Sequence, residues 1–146
     1  MSKMELVHAF IGELENCTKK DGTLYPSSDW HLSYCTFRGI IAVYVDTDDM
    51  VTVCFCPEDQ GRRLQTSAGH LEIFEPQYIA ITRNSKYFFK ETGIDESERE
   101  SLCRTYEAMN VPKEVIDKAL AEAIEISNMH RNDARPHFAS LEGEER

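Results

Sequence analysis

Cys54 and Cys56 stand two apart in a β-favouring run, Met50-Val-Thr-Val-Cys-Phe-Cys56, and His31 and Cys35 stand four apart in His31-Leu-Ser-Tyr-Cys-Thr-Phe-Arg38. Side chains on a strand alternate between faces, so each pair shares a face if both runs are strands. Were the two faces to meet, His31, Cys35, Cys54 and Cys56 would supply the four nitrogen and sulfur ligands of a tetrahedral zinc site. The competing reading is the stronger. Cysteine behaves as a small buried hydrophobe, and the loop-mounted CxxC knuckles of structural zinc sites are absent. The thiols therefore read as reduced core residues, and neither metal nor other cofactor is expected.

Other chemistry-bearing groups give weaker signals. Asp46, Asp48 and Asp49 crowd one segment and could offer oxygen ligands to a hard cation, but the glycine and distal glutamate of a calcium loop are missing. Aspartates are also common in hairpin turns, where they bond their own backbone. A thiol nucleophile would need one of five cysteines beside one of five histidines (His8, His31, His70, His130, His137), and no signature selects a pair. No catalytic set is assigned. Arg62 and Arg63 are the one pair of adjacent arginines and could contact a carboxylate or phosphate, although solvated loop charge is the commoner role.

Charge is the firmer clue. The 146 residues carry a formal net charge of -10, with 12 acidic against 9 basic residues up to position 90 and 14 against 7 beyond it. A field of that sign repels phosphate backbones and anionic lipid and favours basic protein surfaces. The acidic positions of the C-terminal helical segments, Glu98, Glu107, Glu114, Asp117, Glu122 and Glu125, are the expected binding surface. The expected partner is a protein with a basic surface, rather than nucleic acid or membrane.

The elements that would hold these residues follow from periodicity. Leu6, Val7, Phe10, Ile11, Leu14 and Cys17 recur at steps of three and four, which predicts an amphipathic N-terminal helix over residues 4–18. Period two then predicts strands over 31–38, 39–45 and 50–56, a polar loop over 62–69, and further strands over 70–74, 77–83 and 86–90. Asp95 with Glu98, and Ser97 with Glu100, have capping-box spacing ahead of a helix containing Leu102, Cys103, Tyr106 and Met109. Pro112 suits the first turn of a last helix bearing Val115, Ile116, Ala119, Leu120, Ala123 and Ile124 on one side.

The expected class is α+β: an N-terminal helix, a mainly antiparallel sheet of five to six strands, and two C-terminal helices packed on it. Residues 1–131 make the single domain, and 132–146 a polar, flexible tail. The core should contain Phe10, Leu14, Ile41, Val43, Val45, Val53, Phe55, Ile79, Ile81, Leu102, Tyr106, Ile116 and Leu120. The N-terminus lacks the apolar core of a secretory signal, no apolar run approaches membrane-spanning length, and the odd number of cysteines argues against a disulfide framework, so the expected compartment is the cytoplasm.

Functionally, these features point to a small acidic binding protein that blocks or regulates a larger partner whose basic surface can be one for nucleic acid, as an inhibitor from a phage or mobile element would. An acidic dimeric secretion-type chaperone that holds an extended peptide is the alternative, in which case the chain is a homodimer. A small enzyme or zinc protein built on the strand cysteines is the third.

Overall fold

The computed structural model describes residues 4–58 and 63–139, the backbone alone beyond 129. Its described strands are β1 (Glu5–Lys19), β2 (Arg38–Val45), β3 (Val51–Pro57), β4 (Leu64–Gln65), β5 (His70–Phe74), β6 (Gln77–Ile81) and β7 (Ser85–Glu91). Two helices follow, α1 (Arg99–Ala108) and α2 (Lys113–Ala139). The protein is α+β, with one antiparallel sheet in the order β4-β3-β2-β1-β7-β6-β5.

The N-terminal segment is a strand and not the helix expected from its three-and-four spacing. Ala9 and Ile11 face the helices while Phe10 and Leu14 face the opposite cluster, so both faces of β1 are buried. A strand buried on both sides loses its alternation and shows consecutive apolar residues. Irregularities between Leu6 and His8 and between Leu14 and Asn16 shift the phase further, and together they imitate a helical period.

Two further expectations are corrected. Residues 30–34 form a 3-10 helix that starts on an Asp29 cap, so the first of the expected strands is absent. The sheet has seven described strands rather than five or six, because β1 joins it in place of the expected helix and the two-residue β4 lies within the stretch read as loop.

β1 organises the sheet. Its first part pairs with β2 from Glu5 to Glu13, and its second part pairs with β7 from Gly12 to Lys19. The sheet curls around this long strand until Val51 and Gly69 exchange two backbone hydrogen bonds of 2.9 Å, which joins β3 to the start of β5. Inside the curl lie Phe10, Leu14, Tyr34, Ile41, Val43, Val53, Phe55, Tyr78, Tyr87 and Phe89. Outside it, α1 and α2 cover Ala9, Ile11, Ile40, Ala42 and Cys56 with Leu102, Tyr106, Ile116, Ala119, Leu120 and Ala123. Of the expected core, Val45, Ile79 and Ile81 are only half-buried. Ile79 and Ile81 alternate with Tyr78 and Ala80, which take the inner face of β6.

The helical layer is tied down at its first helix. Asp95 and Glu98 form the expected capping box, with the Asp95 backbone N–H donating to Glu98 Oε2 at 3.3 Å. Arg38 donates to both oxygens of Glu58 at 2.8 and 3.2 Å, and the Tyr106 hydroxyl donates to Glu58 Oε2 at 2.6 Å. Burial and the Glu58 carboxylate push the Tyr106 phenol up, so it stays a donor. α2 opens directly after Pro112, whose carbonyl accepts from Val115 and Ile116. Its helical backbone continues past residue 131, where the sequence reading ends the domain. No helix among the described residues is long and apolar enough to cross a membrane.

Candidate functional site

The most unusual polar environment is where β7 ends and the first half of β1 continues beside it without a β7 partner. Positions 87, 89 and 91 of β7 share a face, so Glu91 follows Tyr87 and Phe89 toward the inner cluster. His8 enters from β1, opposite Val43, and its ring lies 5.3 Å from that of Phe10 and 5.8 Å from that of Tyr78. Glu122 comes from α2, one step around the helix from the buried Ala119 and Ala123. One ligating atom from each of His8, Glu91 and Glu122 lies within 4.8 Å of the other two.

Glu91 is the distinctive member. It is 9% exposed, and its Oε1 accepts from the Tyr78 hydroxyl at 3.3 Å while its Oε2 is buried with no hydrogen-bond partner. Burial first, then the neighbouring Glu122 carboxylate, push its carboxyl up to about 7. Tyr78 is raised by burial and by Glu91, so its phenol remains protonated, and it also lies 3.4 Å from His8 Nε2. Glu75, Pro76, Ile126 and Met129 join Glu91 in lining an open groove of about 230 Å³. The cluster therefore has a solvent approach.

A pH dependence of stability follows. The metal-free native state holds the Glu91 proton more tightly than the unfolded chain does, so this group stabilises folding fully below pH 4.5 and that contribution is lost as pH rises through 7. The groups facing it are His8 on β1, Tyr78 on β6, Glu75 in the β5–β6 turn and Glu122 on α2. Glu91→Gln stays neutral and should remove the corresponding loss, about 3 kcal/mol between pH 4.5 and 8. Urea midpoints at both pH values in chelator, compared with the parent protein, give the answer; equal pH slopes would contradict it.

The residues singled out from sequence fall elsewhere. His31 sits in the 3-10 helix, its Nδ1 bonded to Asp29 and its ring stacked between Trp30 and Tyr25. Cys35 packs with the inner cluster, whereas Cys54 and Cys56 pack under the helices, on the other face of the sheet. The four-ligand zinc set, the weaker of the two readings of these residues, is not assembled. Burial raises the thiols of Cys17, Cys35, Cys54 and Cys56, which disfavours the thiolates that metal binding or nucleophilic attack would need. Asp46 Oδ1 accepts from the backbone N–H groups of Asp48 and Met50 at 2.8 and 3.0 Å, as a turn residue does.

Arg62 lies outside the described residues. Arg63 Nη2 donates to the carbonyl of Met109 at 2.7 Å, which satisfies the end of α1. Of the acidic helical set, Glu107, Glu114, Asp117 and Glu125 are exposed. Glu98 is half-buried and lies 3.4 Å from Arg38 Nη1, and Glu122 belongs to the His8 and Glu91 cluster. Sequence reading missed Glu91, although a carboxylate in phase with Tyr87 and Phe89 on an alternating strand is a visible sign of a buried charge. Compared with known protein families, curated proteins and solved structures, the chain matches none.

Proposed function

We propose that this is a small acidic cytoplasmic binding protein, whose helical layer occupies a basic surface of a larger protein and so blocks or regulates it, in the manner of an inhibitor from a phage or mobile element. The observation that carries this reading is the exposure of Glu107, Glu114, Asp117 and Glu125 on the helices, away from the apolar side that meets the sheet. Among the described residues their one ion pair, Asp117 with Lys113 at 3.4 Å, is solvent-exposed and adds little to folding. These charges are thus available to steer encounter with a basic partner, including one that otherwise holds nucleic acid.

The test is reversal of Glu107, Glu114, Asp117 and Glu125 to Lys, leaving Glu98 and Glu122 in place because both have internal partners. The variant should keep its thermal midpoint to within a few degrees. Its association with a basic protein captured by the parent chain at low salt should slow by roughly 10-fold or more, with a flatter salt dependence. Unchanged capture and an unchanged salt slope would end the proposal.

A second reading, the dimeric chaperone, is favoured by one feature. β5 ends the sheet and carries the exposed side chains Ile73 and Phe74, and an outer strand of this kind can accept an added strand from a peptide. A dimer in solution whose Phe74 signals shift on adding an extended peptide would support it over the inhibitor.

A further inference from the structure

The geometry points to a divalent transition-metal site, zinc by first choice, formed by His8 of β1, Glu91 of β7 and Glu122 of α2. One imidazole nitrogen and two carboxylate oxygens form the mixed donor set that suits zinc, whereas calcium and magnesium prefer oxygen alone. The three ligating atoms lie within 4.8 Å of one another. Ligands of a zinc tetrahedron stand about 3.3 Å apart when bonds are ~2.0 Å, a contraction that small side-chain rotations supply.

An acidic pair alone would not carry this assignment. The second observation is Glu91 Oε2, which is buried and lacks any hydrogen-bond partner although the residue is 9% exposed. An orphaned carboxylate oxygen beside a histidine and a second carboxylate is costly without a cation. The charges also balance, because neutral His8 and two carboxylates bring two negative charges to a dication. Tyr78 then serves from behind, its hydroxyl oriented on Glu91 Oε1. The groove beside Pro76 and Met129 reaches the site at Glu91.

Titration of the chelator-stripped full chain with zinc, followed by calorimetry and thermal melting, tests the site. One ion should bind and raise the midpoint. His8→Phe, which keeps an aromatic ring beside Phe10, and Glu91→Gln should each weaken that binding by about 100-fold or more. Cys54→Ala with Cys56→Ala should leave it unchanged. Cobalt gives a readout that needs no variant: a spectrum without thiolate-to-cobalt charge transfer is expected. Undiminished binding in folded His8→Phe and Glu91→Gln, a thiolate band, or no saturable binding to the parent chain would overturn the assignment. None of these results depends on the acidic helical surface, so the two proposals can fail separately.

Discussion

Ile41→Asp should leave no folded protein, whereas Ile81→Asp should fold and melt close to the parent. Ile41 is fully buried between Phe10 on β1 and Phe55 on β3, its direct cross-strand neighbours. A carboxylate there meets only hydrocarbon, and an unpaired buried charge costs more than about 5 kcal/mol, comparable to the whole stability of a small domain. Ile81 is half-buried on the outer side of β6, opposite His70 and Lys86. An aspartate at that position reaches water and a cation, so the loss should stay below about 1.5 kcal/mol. Far-UV circular dichroism and thermal melts separate the two outcomes; loss of structure in both variants would show that the outer face of β6 belongs to the core.

Gly12→Ala is expected to cost about 3–5 kcal/mol, although it adds a single methyl group. Gly12 is the residue at which β1 pairs with Gly39 of β2 on one side and Glu91 of β7 on the other. A Cβ there would stand 2.2 Å from the carbonyl oxygen of Lys90 and 3.1 Å from Ile41 Cδ1. The nearer contact is backbone, so relief requires β1 and β7 to part beside Glu91. Gly22 offers the comparison. Its φ of +92° strains any other residue, but nothing lies within 4 Å of a Cβ, so Gly22→Ala should lose only about 1–2 kcal/mol. Urea midpoints of the two variants measure the difference, and equal losses would mean that the sheet yields at Gly12.

Local signals were read well where one face of an element is wet. β5, β6 and β7 appeared as alternating runs between turn residues, and α1 and α2 appeared with the Asp95 capping box and the stop at Pro112. The reading failed at β1, where Ala9 and Ile11 meet the helices while Phe10 and Leu14 meet the inner cluster. Burial on both faces removes the period-two signal, and the two irregularities in pairing supply a false helical one. The 3-10 helix at Trp30–Tyr34 was hidden for a related reason. Its aromatic residues favour strands by type, but Trp30 stacks on His31, and His31 on Tyr25, outside the sheet.

Composition and local grammar are legible in the residues alone: strong acidity, an α+β class, two C-terminal helices and most strand positions. These depend on neighbours a few residues apart, so they survive without knowledge of the fold. Which carboxylates face water and which turn inward is set by long-range packing. Glu122 and Glu125 read alike on α2, yet Glu122 meets His8 and Glu91, from two strands far apart in the sequence, while Glu125 is exposed. That difference arises from how far β7 extends along β1 and where α2 crosses the gap. Long-range geometry of this kind has no periodic trace, because residues 8, 91 and 122 become neighbours only when the sheet curls.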